Sequence, residues 1–102
     1  MHIKIFNKQV EKFIKSLEVT VLAKTLRTID LLEIFGPSLT FPHSKKVTKD
    51  IFELRVYGAQ QVRIFYTFHN GVVVLLHGFI KKTSKIPAKE LEVAKQRLIG
   101  LV

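Results

Sequence analysis

Between two apolar-rich runs, QVRIFYTFH and VVVLLHGFI, stands the dipeptide Asn70-Gly71. Both residues tolerate the positive φ that the centre of a type I′ turn requires, and that turn joins adjacent antiparallel strands. The pair predicts a hairpin and, with it, a register: Phe68 opposite Val73, Tyr66 opposite Leu75, Ile64 opposite His77, Arg63 opposite Gly78 and Val62 opposite Phe79. A third run precedes these two. A loop of Gly58, Ala59 and Gln60 predicts a second hairpin that pairs Leu54 with Ile64, Val56 with Val62 and Arg55 with Arg63. The stretch therefore reads as a three-stranded antiparallel meander, Ile51–Tyr57, Gln61–Phe68 and Val72–Ile80, rich in β-branched and aromatic residues.

Because strand neighbours point to opposite sides, this register sorts the side chains into two faces. One carries Phe52, Leu54, Val56, Val62, Ile64, Tyr66, Phe68, Val73, Leu75 and Phe79, and is the expected core; His77 falls on it and is read as structural. The other carries Glu53, Arg55, Tyr57, Gln61, Arg63 and Thr67, with Phe65, Val74 and Leu76 nearby, Gly78 beside Arg63 and Lys82 just beyond the strand. Two arginines directly opposed repel each other. The arrangement needs an anion between them, either Glu53 or a ligand phosphate, and Gly78 would leave room for a ligand to approach. A structural ion-pair cluster is the competing reading.

Around the meander the pattern is helical. His2 to Phe6 reads as a further strand at a sheet edge, where Lys4 discourages unwanted pairing. Asn7 is placed to cap a helix carrying Val10, Phe13, Ile14 and Leu17, and a second helix from Glu18 to Phe35 shows an apolar stripe of Leu22, Leu26, Ile29 and Leu32. Gly36-Pro37 ends it. Residues 38–50 form a polar connector holding His43, Lys45, Lys46 and Lys49, either a solvated loop or one that tracks phosphates. Beyond Lys81 and Lys82, Pro87 opens a last helix with Leu91, Ala94 and Leu98 on one side. The expectation is one α+β domain over residues 1–102: an N-terminal strand, two helices, the meander completing a small sheet, and a C-terminal helix.

Seventeen Lys and Arg against eight Asp and Glu give a formal charge of +9. Such an excess favours a polyanionic partner. With no cysteine, disulfides and thiolate metal sites are ruled out. The N-terminal MHIKIFN lacks the apolar run of a signal peptide and no stretch approaches a membrane span, so a cytoplasmic protein without membrane contact is expected. Nothing in the sequence calls for a metal or cofactor.

The ordered set FELRV, QVRIFY, VVVLLHGFIKKT and PAKELEVAKQR, preceded by LLEIFGPSL and FPHSKK, resembles the RelE/HigB superfamily of toxins from type II toxin-antitoxin modules. It looks closest to the phage-derived HigB-like branch, and the likeness covers nearly the whole chain. The resemblance implies a small antiparallel sheet with helices on one face. It also implies an endonuclease that cuts mRNA on the ribosome, and an antitoxin partner, commonly a small helix-turn-helix protein. Arg55 and Arg63 then look like the family's phosphate-binding arginines, and Lys81 and Lys82 like its basic pair, with Lys82 on the arginine face. Glu53 would be a general base or orient an arginine, with Tyr57, His43, Lys45, Lys46 and Lys49 contacting RNA. Metal-free cleavage needs a base for the 2′-hydroxyl, an acid for the leaving 5′-oxygen and cations for the phosphate. Relatives carry a catalytic Tyr or His near the C-terminus, and this chain has neither after His77, so the acid–base pair stays open. Binding to DNA gyrase, as ParE toxins do on the same fold, or an inactive antitoxin-binding phage protein are the alternatives; the arginine face favours cleavage.

Overall fold

Asn70 and Gly71 both adopt positive φ, 51° and 77°. The hairpin they close is the centre of the sheet in the computed structural model, which describes residues 1–101. In chain order the elements are β1 (Ile3–Ile5), α1 (Lys8–Lys15), α2 (Val19–Phe35), a 3₁₀ turn (Gly36–Ser38), β2 (Ser44–Lys46), β3 (Phe52–Val56), β4 (Val62–His69), β5 (Val72–Ile80) and α3 (Ala88–Ile99). The five strands run in the order β1-β5-β4-β3-β2. β1 lies at one edge as expected, but parallel to β5, so the sheet is mixed. β2 comes from within the connector and forms the other edge, antiparallel to β3. The Ser44 hydroxyl bonds the Tyr66 hydroxyl beneath the sheet, and this buried link anchors β2. Burial pushes the Tyr66 pKa up, partly offset by that bond, which keeps the phenol neutral and structural.

The β3–β4 register is the expected one, with Arg55 opposite Arg63. The β4–β5 register is not. It begins as predicted at Phe68–Val73 and Tyr66–Leu75, then shifts, pairing Phe65 with His77, Ile64 with Gly78, Arg63 with Phe79 and Val62 with Ile80. Leu76 is the extra residue of a β-bulge, and an extra residue inverts the facing of everything beyond it. Phe79 therefore leaves the first core and packs on Phe65. His77 likewise faces α3, its Nε2 3.0 Å from Glu90 Oε1. The Arg97 guanidinium of α3 donates to the Leu76 carbonyl at 2.7 Å and so pins the helix to the bulge. Gly78 lies not beside Arg63 but under α1, where an added Cβ would sit 2.5 Å from a ring carbon of Phe13. Gly78→Ala is expected to cost about 1–3 kcal/mol through this overlap, read as a lowered melting temperature.

Helices cover both faces rather than one. α1 and α2 bury Val10, Ile14, Val21 and Leu32 against Leu54, Ile64, Tyr66 and Leu75. On the opposite face α3 buries Ala94, flanked by Leu91 and Leu98, against Phe65, Val74, Leu76 and Phe79. The first helix is capped as predicted, the Asn7 side chain accepting from the Val10 N–H at 3.1 Å. α2 keeps most of its expected stripe: Leu32 is buried and Leu22 and Ile29 pack partly buried on the core, joined by Val21, Thr25 and Thr28, whereas Leu26 is 47% exposed. Thr25 and Thr28 donate their hydroxyls to Val21 O and Lys24 O, which lets two polar residues face the core. None of the described helices is long and apolar enough to cross a membrane.

Candidate active site

α3 packs over β4 and β5, and the part of the same face formed by β3 and β2 stays open as a cleft of about 320 Å³. Alternation along β3 directs Glu53 and Arg55 into it. β2 supplies Lys45, which pairs with Glu53 across the edge, and Lys46, whose ammonium also lies 5.8 Å from the Phe52 ring. The segment after β5 supplies Lys81 and Lys85. Five cations thus surround one carboxylate.

Beneath the cleft floor the anion between the two arginines is Glu53. Its Oε1 is 3.4 Å from Arg55 Nε and its Oε2 3.8 Å from Arg63 Nε. Glu53 is 2% exposed and Arg63 3%. The Arg63 fork is occupied from below: Nη1 donates to Val62 O at 3.1 Å and Val56 O at 3.5 Å, and Nη2 to the Gln61 side chain at 3.4 Å. Tyr57 closes over it, ring centroid 5.3 Å from the guanidinium carbon. Burial pulls the Arg63 pKa down, Glu53 works against that shift and Arg55 adds to it; the guanidinium stays charged. Arg55 is the more accessible of the two, with Phe41 and Tyr57 rings 5.5 and 5.7 Å from its guanidinium carbon. Among the described residues Glu53 Oε2, Arg55 Nε and Arg63 Nε are buried without a hydrogen bond, so charge rather than directed bonding holds the triad.

Of the residues singled out in the sequence, Glu53, Arg55, Lys45, Lys46 and Lys81 come together in the cleft. Arg63 lies beneath it. His43 and Tyr57 border a neighbouring cleft with Lys24 and Arg27 of α2. Lys49 and Lys82 are exposed and line neither. Lys82 was expected on the arginine face, but the bulge at Leu76 shifts the alternation by one and gives that place to Lys81. Lys85 and the α2 pair Lys24 and Arg27 were not anticipated. The run KKTSK was a usable signal for the first; the α2 pair looks like any solvated helix face. Among the described residues no three His, Asp or Glu side chains converge as a metal site.

Residues 12–99 match the family described as "Phage derived protein Gp49-like (DUF891)". No curated protein matches the chain. The family match spans most of the α+β architecture, from α1 through α3, including every strand that builds the basic cleft. The chain belongs to the phage-derived Gp49-like family, a family of RelE-like toxins.

Proposed function

We propose that the chain, acting as one domain over residues 1–102, is the toxin of a type II toxin-antitoxin module of the HigB-like branch. Its activity is that of a metal-independent, ribosome-dependent mRNA endonuclease in the cytoplasm. The observation that carries this reading is the cleft in which Lys45, Lys46, Arg55, Lys81 and Lys85 face one buried carboxylate, Glu53. In RNA cleavage the 2′-oxygen attacks the adjacent phosphorus, the bond to the 5′-oxygen breaks, and negative charge builds on the non-bridging oxygens. A preorganised cluster of cations stabilises that charge more in the transition state than in the ground state. Arg55 takes the scissile phosphate with its planar fork. Lys45 and Lys81 flank it.

Glu53 and Arg63 are positioning residues in this reading. Glu53, nearly inaccessible and within 4 Å of both arginines, holds the Arg55 guanidinium at the cleft floor. Arg63 holds Glu53 in place from beneath. The partners are mRNA on the ribosome and a helix-turn-helix antitoxin whose contacting surface is acidic, as a domain of +9 favours. The exposed apolar side chains of α2, among them Leu26, Ile34 and Phe35, offer a protein partner something to cover.

Primer extension on an mRNA in a purified translation system tests the activity. New 5′ ends are expected when toxin and translating ribosomes are both present, and none with either alone. No cleavage from folded protein that still arrests growth would transfer the reading to a bound target such as gyrase.

A further inference from the structure

Arg55 is the one residue common to the lining of two clefts. The second, of about 250 Å³, opens between α2 and β3 and is bordered by Lys24, Arg27, Thr28, His43, Arg55 and Tyr57. No carboxylate lines it. Among the described residues neither Lys24 nor Arg27 makes an ion pair, and both side chains are exposed. Their charge is therefore available to an incoming anion. Two exposed aromatic rings lie against the Arg55 guanidinium: Tyr57, which lines this cleft and is 44% exposed, and Phe41, 71% exposed, which stands at the arginine the two clefts share. Cations that follow a backbone, with aromatic rings between them, are the pattern by which proteins hold single-stranded nucleic acid: phosphates meet the cations and unpaired bases stack on the rings.

We propose that this second cleft is a nucleotide subsite, so that a single-stranded RNA lies across Arg55 with phosphates in both clefts and a base stacked on Tyr57 or Phe41. The inference rests on the reading of the first cleft as the RNA-cleaving site, and extends the substrate path to the other side of Arg55. An acidic protein surface would satisfy Lys24 and Arg27 but has no use for open aromatic faces at the same place. RNA uses both.

Fluorescence anisotropy with labelled 2′-O-methyl RNA reads binding alone, since the blocked 2′-oxygen cannot attack. Wild type should bind a hexanucleotide at least about tenfold tighter than a dinucleotide, because only the longer strand reaches both clefts; about tenfold is also the loss expected when one base–aromatic stack is removed in Tyr57→Ala. Tyr57→Phe should restore it. Lys24→Ala combined with Arg27→Ala should abolish most of the length-dependent gain, leave the dinucleotide unchanged, and reduce the slope of log affinity against log salt by about 1.4, that is about 0.7 for each lost phosphate contact. Lys45→Ala with Lys81→Ala should weaken both oligonucleotides. If the Lys24/Arg27 double variant binds the hexanucleotide as wild type does while the Lys45/Lys81 variant is weakened, the subsite is wrong and the cleavage reading stands. If wild type binds neither oligonucleotide, the subsite falls, while the cleavage reading stands or falls on primer extension with translating ribosomes.

Discussion

Arg55→Ala is expected to lower mRNA cleavage by about 10²–10³-fold, the usual effect of removing one preorganised donor from a charge-stabilising site. The reason lies in position. Arg55 sits at the floor of the basic cleft with its guanidinium partly accessible, whereas its opposite number Arg63 has its fork filled by Val56 O, Val62 O and Gln61. Folding should survive, since Glu53 keeps Arg63 as a partner in this variant. Arg55→Lys should recover only a fraction of the rate, because an ammonium on a flexible stem cannot reproduce a planar fork held between Phe41 and Tyr57. Single-turnover cleavage, with a thermal melt on the same samples, checks both halves. Full activity in a well-folded Arg55→Ala protein would remove Arg55 from the chemistry.

The second large effect is on stability. Arg63→Met strips the buried Glu53 of its deeper counter-ion, and breaking a buried pair from one side costs about 3–5 kcal/mol. For a chain of this size the melting temperature should fall by at least about 10 °C. Replacing both partners, Glu53→Gln with Arg63→Met, should recover part of that loss, because no carboxylate is then buried without its deeper counter-ion and Arg55, left without Glu53, is the more accessible of the two arginines. This pattern distinguishes a positioning residue from one that touches the phosphate. A melting temperature unchanged by Arg63→Met, with cleavage lost, would instead put Arg63 in direct contact with substrate.

How far the sequence could be read depended on whether alternation left a mark. In β3 and β4 polar and apolar residues largely alternate, so the pairing of Arg55 with Arg63 followed from parity and the length of the loop between them, with Glu53 one of two anions that could stand between them. In β5 the run VVVLLHGFI is apolar almost throughout, and a one-residue slip exchanges Phe79 for Ile80 at no visible cost. The bulge at Leu76 was therefore hidden, and with it the exchange of Lys82 for Lys81. β2 was missed because Ser-Lys-Lys carries no strand signature; its place depends on Ser44 reaching Tyr66, a contact between residues far apart in the chain. The α2 stripe was legible except at Leu26, whose place toward the core two threonines take. Thr25 and Thr28 satisfy their hydroxyls on their own helix and so behave as buried apolar residues. That Arg63 is buried and Arg55 accessible is likewise invisible in residue type; it comes from the place of Arg63 in the central strand, where its fork turns onto Val56 O, Val62 O and Gln61.

The parallel pairing of β1 with β5 has a consequence for the order in which such a chain can be made. Ile3 finds its partner at Val73, and Lys45 meets Lys81 across the cleft only when the segment after β5 is in place. Contacts of such long separation cannot form early, since the loop must close before any pairing repays it. A ribosome translating this protein therefore carries no assembled cleft until residues beyond Lys85 have emerged. The basic cleft is thus among the last features of the molecule to exist.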